Sequence, residues 1–112
     1  MARVLLGDFG AIARLGLREF LEEDGVDIVA EDSKSENVLQ RLNEARPDVV
    51  VVDLDDEGGL EVASRIASAY PAVKVIACSS EKPMMVVFPA FHHGEFFDSD
   101  LSPELLMEAI RK

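Results

Sequence analysis

The sequence predicts a single α/β domain built on a five-stranded, parallel, doubly wound sheet. Three observations carry that prediction. Short apolar runs recur along the chain at 4–6, 26–30, 48–54, 73–78 and 96–97. Segments with apolar residues at helical spacing stand between most of these runs. The connections are short, and right-handed crossovers then leave a parallel sheet covered by helices on both faces as the natural architecture. At 112 residues the chain can bury one core and is too small for two.

Each element follows from local chemistry. Val4, Leu5 and Leu6 form the first strand, closed by Gly7 and Asp8. Ile12, Leu15, Gly16, Phe20 and Leu21 lie at helical spacing up to Asp24 and Gly25. The second strand is 26–30; Ser33 with Glu36 three residues on matches a capping box, and Val38, Leu39 and Leu42 mark the helix behind it. Pro47 pushes Arg46 out of the α region and stops that helix. The strand at 48–54 is apolar on both faces, which places it inside the sheet. Gly58 and Gly59 turn the chain into a third helix opening at 60–66, Tyr70 and Pro71 close it, and 73–78 is the fourth strand. Pro83 fits the first turn of a fourth helix, which Pro89 would break, so an irregular helix is expected over 84–91. Phe96 and Phe97 begin a last edge strand, and Ser102, Pro103 and Glu104 supply an N-cap, a first-turn proline and a first-turn acid for a final helix ending at Arg111.

Composition narrows the function. Eleven basic against twenty-two acidic residues give a net charge of −11, which repels nucleic-acid phosphates and anionic membranes. Neither direct nucleic-acid binding nor membrane association is expected. No apolar run approaches the length of a membrane span, and Gly7 and Asp8 arrive too early for a secretory signal, so the reading places the protein in the cytoplasm. The single cysteine, Cys78, fits a reducing compartment and reads as a small buried hydrophobe. His92 and His93 are adjacent, which points them in different directions and makes a poor metal pair.

In an open parallel sheet the site lies beyond the carboxyl ends of the strands, where strand order reverses between the first and third. Asp8 and Asp53 fall there. Two carboxylates 4 Å apart repel by roughly 4 kcal/mol at an effective dielectric of 20. A hard divalent cation such as Mg²⁺ would offset that cost and could neutralise an incoming phosphoryl group. The plainer alternatives are that Asp8 caps the first helix, that Asp53, Asp55, Asp56 and Glu57 are a solvated acidic turn, and that Ser79 and Ser80 satisfy backbone groups.

Five pieces in this order carry a resemblance: Arg3 to Asp8, Arg46 to Leu54, Gly59 to Val62, Tyr70 to Ile76 and Leu101 to Leu106. Together the chain resembles the receiver domain of two-component response regulators, of the kind attached to helix-turn-helix output domains. The resemblance implies a flavodoxin-like fold with strand order 2-1-3-4-5. It implies that Asp53 is the phosphoacceptor position, that Asp8, Asp53 and a group near Asp55 hold the metal, and that Ser79 is the hydroxyl that binds phosphoryl oxygens. It also implies a partner, a histidine kinase or a regulatory or output protein, and a face built from the fourth helix, fifth strand and fifth helix where dimers and outputs bind. Met84, Met85, Phe88, Phe91 and Phe96 are the expected interface there, unless that run simply packs as core.

Three departures qualify what the resemblance implies. Asp8 is followed by Phe9 where the family has a second acid. Ser99, or Asp98 beside it, stands at the position of the lysine that the family pairs with the phosphoryl group, and the loop after Asp53 is shorter by about two residues. Lys82 could reach the site from the loop after the fourth strand. Loss of positioned charge is costly in phosphoryl transfer. The expected function is therefore a non-enzymatic signalling module with impaired or absent phosphorylation, weak Mg²⁺ binding or none, acting by protein contacts through 84–97. The alternatives are a receiver that accepts phosphate on Asp53 with Mg²⁺, and a small flavin-binding electron carrier. The latter is disfavoured by the acid and missing hydroxyl in the loop at 7–11.

Overall fold

The computed structural model describes residues 2–7, 9–32, 35–55, 58–79, 81–92 and 94–111. Ten elements follow one another: β1 (Arg3–Gly7), α1 (Ala11–Glu23), β2 (Asp27–Asp32), α2 (Ser35–Ala45), β3 (Val49–Asp53), α3 (Gly59–Ala69), β4 (Lys74–Cys78), β5 (Met84–Phe88), β6 (Phe97–Asp100) and α4 (Pro103–Arg111). The six strands form one sheet in the order β2-β1-β3-β4-β5-β6. The α/β class and the mostly parallel central sheet are as the sequence predicts.

The first four strands are parallel to one another, with Leu6 opposite Val51 and Asp53 opposite Cys78. β1, β3 and β4 alternate between two apolar layers. Val4, Leu6, Val49, Val51, Ile76 and Cys78 face Leu21 of α1 and Leu106, Met107 and Ile110 of α4. Leu5, Val50, Val52, Val75 and Ala77 face Val38 and Leu42 of α2 and Ala63 and Ile66 of α3. Burial on both sides explains why 49–52 is an unbroken run of valine.

Capping fixes the helix ends. Arg3 donates from Nη2 to the Ala45 carbonyl at 2.9 Å and from Nη1 to that of Arg46 at 3.1 Å, placing a cation on the C-terminal carbonyls of α2. Arg46 adopts φ 48° immediately before Pro47, so the helix ends in a left-handed residue. The Ser102 hydroxyl accepts the Leu105 N–H at 3.2 Å and caps α4 as its sequence indicates. The capping box expected at Ser33 and Glu36 lies outside what is described. Gly10 is the N-cap position of α1.

Beyond β4 the sheet differs from the expected all-parallel order 2-1-3-4-5. The segment expected to be an irregular fourth helix is strand β5, antiparallel to β4 with Ile76 opposite Val87, and β6 is antiparallel to β5 with Val86 opposite Asp98. The physical reason lies in the sequence of β5. Met85 and Val87 enter one apolar layer while Val86 and Phe88 enter the other. A helix would have turned one of those pairs toward solvent, and Pro89 ends the segment at a length that suits a strand. Phe97 does begin the edge strand, as expected. Among the described residues no helix is long and apolar enough to cross a membrane.

Candidate functional site

The carboxyl ends of β3 and β4 place Asp53 and Ser79 at one rim of the sheet. Asp53 is the last residue of β3, half-buried, opposite Cys78. The Leu54 N–H extends the ladder by one bond to the Cys78 carbonyl at 2.9 Å. The chain then turns sharply, because α3 begins at Gly59 hard against the end of β3. A Cβ at Gly59 would collide with the Asp53 carbonyl oxygen, so only glycine allows this approach. Gly58, at φ 74°, supplies the left-handed turn before it.

A chain of hydrogen bonds crosses the rim. The Asp55 N–H donates to Asp53 Oδ1 at 2.9 Å. The Ser79 hydroxyl, 5% exposed, donates to Asp55 Oδ1 at 2.7 Å, and the Glu81 N–H donates to Asp55 Oδ2 at 3.1 Å. The Lys82 N–H donates to Ser79 Oγ at 3.0 Å. Burial pushes the Cys78 thiol up to about 12, and the nearby Asp53 charge adds to the shift. A thiol held protonated in this way is a core group and not a nucleophile.

The sequence-derived residues fall into distinct groups. Asp53, Asp55 and Ser79 are brought together, whereas Asp8, Asp56, Glu57, Ser80 and His93 lie outside the described residues. Phe9, where a second acid was looked for, is 4% exposed and packed in the α1/α4 layer. Ser99 sits on β6, opposite Met85, with β5 between it and β4. Strand spacing puts β6 roughly 14 Å from β3. Ser99 therefore does not border the pocket; it lines a separate groove with Lys74, Val87, Phe97 and Leu105. Lys82 brings its backbone N–H to Ser79. Of the expected interface, Met85 and Phe88 are core residues at 2% and 0% exposure, and Met84 is half-buried. Phe91 and Phe96 remain exposed, joined by Phe97, with the ring of Phe96 tilted against that of Phe88 at 5.1 Å between centroids.

Mg²⁺ takes near-octahedral oxygen ligands, commonly one or two carboxylates with waters. Asp55 instead directs both carboxylate oxygens at the β4–β5 turn. Among the described residues no group of three or more His, Cys, Asp or Glu could hold a metal ion. Asp8, the other carboxylate that the resemblance implies for the metal, lies outside the described residues. The Asp55–Ser79 pairing was missed in the sequence; the one available signal is that a hydroxyl ending a buried strand must find a partner.

A half-buried aspartate ends the central strand β3 and a buried hydroxyl follows the end of β4, which puts side by side the two residues that the sequence resemblance singled out. The family model of the response regulator receiver domain matches residues 4–111, so the chain belongs to that family. It is 25% identical to the chemotaxis protein CheY of Thermotoga maritima over 98% of this chain and 95% of that one. It is 32% identical to the transcriptional activator protein ExaE of Pseudomonas putida over 97% of this chain and 53% of that one. The isolated receiver domain of RcsB from Salmonella enterica serovar Typhimurium, solved with the phosphomimetic BeF₃⁻, superposes with a TM-score of 0.63 at 25% identity, covering 73% of this chain and 64% of that one. The chain thus spans nearly the whole of the chemotaxis relative and about half of the transcriptional activator. The protein is a two-component receiver domain with a flavodoxin-like fold, and the flavin-carrier alternative finds no support.

Proposed function

We propose that this receiver domain transmits its signal by protein contact, without enzymatic activity of its own, and that phosphoryl transfer to Asp53 is impaired. The observation that carries this reading is the insertion of β5 beside β4. It moves β6, and with it the position where the resemblance expects a phosphoryl-pairing lysine, three strands away from β3. Developing charge in phosphoryl transfer is stabilised by preplaced counter-charge, and a group that far away cannot supply it. Burial of Phe9 in the core supports the same reading, because no second acid follows Asp8 to help hold a metal.

The contact surface on this reading is the exposed aromatic rim of Phe91, Phe96 and Phe97 on the β5–β6 side. Its partner is a histidine kinase, an output protein or a second copy of this domain. Incubation with Mg²⁺ and acetyl phosphate, followed by intact mass, tests the impairment. The expected result is a mass spectrum dominated by unmodified chain. A stoichiometric one-phosphate gain that disappears in Asp53→Asn would establish the working phosphoacceptor instead.

A further inference from the structure

A serine hydroxyl has one proton to donate. In Ser79 that proton goes to Asp55 Oδ1 at 2.7 Å, while the hydroxyl oxygen accepts the Lys82 N–H. The bond is short and charge-assisted, and the serine is almost fully buried, so water does not compete well for it. Asp55 also holds the Glu81 N–H through its other oxygen and reaches back through its own N–H to Asp53. One side chain, two residues past the phosphoacceptor position, thus ties the β3 loop to the β4–β5 turn.

We propose that Asp55 is an intramolecular latch on Ser79: its carboxylate occupies the hydroxyl proton that a phosphoryl oxygen at Asp53 would need. A phosphoryl group can recruit Ser79 only if the Asp55–Ser79 bond breaks. Breaking it also loosens the Glu81 amide, so the β4–β5 turn is released together with the hydroxyl. The proposal rests on the reading of Asp53 and Ser79 as phosphoacceptor and hydroxyl positions. It adds a device to that reading, because the carboxylate that closes the site comes from the chain itself.

The test follows the Asp53 adduct over time by intact mass, in the full chain with Mg²⁺ and acetyl phosphate. In the transfer an Asp53 carboxylate oxygen bonds to phosphorus, the P–O bond to the acetyl group breaks, and acetate leaves with the electron pair. Asp55→Ala is expected to form adduct about tenfold faster than wild type, the scale of one charge-assisted hydrogen bond. Asp55→Asn keeps an acceptor oxygen but removes the charge, and is expected to gain far less. Asp55→Ala combined with Ser79→Ala is expected to return close to the wild-type rate. The latch is overturned if Asp55→Ala and wild type form adduct equally, including no adduct in either. It is overturned as well if Asp55→Asn matches Asp55→Ala, or if the double variant keeps the gain. Independently of phosphate, hydrogen exchange at the Glu81 and Lys82 amides should accelerate in Asp55→Ala, and unchanged protection there also overturns it. Stoichiometric labelling of wild type would defeat the impaired reading alone, leaving the ratio of Asp55→Ala to wild type to judge the latch.

Discussion

Strands β1, β3 and β4 and the hairpin strand β5 use the same apolar alternation and end in different chemistry. In the first group every strand points the same way, so the carboxyl ends of β1, β3 and β4 share a rim and Asp53 and Ser79 meet there. In the second group the chain reverses after β4, and a strand takes the place of a crossover helix. The rim then receives Met84, at the start of β5, and the far end of β6 lies opposite it at Asp100. A doubly wound site depends on parallel strands to gather side chains from distant parts of the sequence. The antiparallel hairpin keeps the core intact and puts β5 between β4 and β6.

The largest effect that can break this comparison is loss of the hairpin's core anchor. Phe88 is fully buried with its ring tilted against that of Phe96. Phe88→Ala should destabilise the fold by about 3–5 kcal/mol in chemical denaturation. Phe91→Ser, at 70% exposure on the same side, should stay within about 0.5 kcal/mol. Equal losses would mean that the hairpin is not integral to the core.

A smaller effect reads the seam between the two regions. Cys78 ends β4, with Asp53 opposite it on one side and Met85 on the other. Its folded pKa is raised from 9.0 to about 12, so the folded state keeps a proton that the unfolded chain releases. That contribution is fully present below about pH 9 and is lost as pH rises toward 12, by at most roughly 4 kcal/mol. Unfolding monitored across pH 8–10.5 should show declining stability, and Cys78→Ala should flatten the decline. A wild-type slope identical to that of the variant would place the thiol in contact with solvent.

Much of the first region was legible in the sequence. The valines at 49–52 announced a strand buried on both faces, and the Ser102 cap announced α4. The residues of β5 carry the same two-faced apolar signature. Five apolar residues between prolines fit a short strand or a broken helix equally by periodicity, and the family resemblance favoured the helix. What decides is the neighbour: the edge strand was expected at Phe96 and Phe97, but as a partner to a helix-linked sheet and not to β5, and Asp98, Ser99 and Asp100 behind it are poor in strand propensity. Within the site, Asp53 was legible because strand ends converge by topology, and Ser79 was singled out only through the family resemblance. The Asp55–Ser79 bond joins residues 24 apart through loop geometry, which no local pattern encodes. Asp8, the other acid of the expected pair, lies outside the described residues.

The account holds that the lysine position has been carried away from the pocket as well as changed in residue type. Ser99→Lys restores the residue type without moving the strand. Intact mass after incubation with Mg²⁺ and acetyl phosphate should show Ser99→Lys labelled no more than wild type. A Ser99→Lys chain that takes up phosphate toward stoichiometry, and loses it when Asp53→Asn is added, would contradict the displacement of β6 on which the proposed function stands.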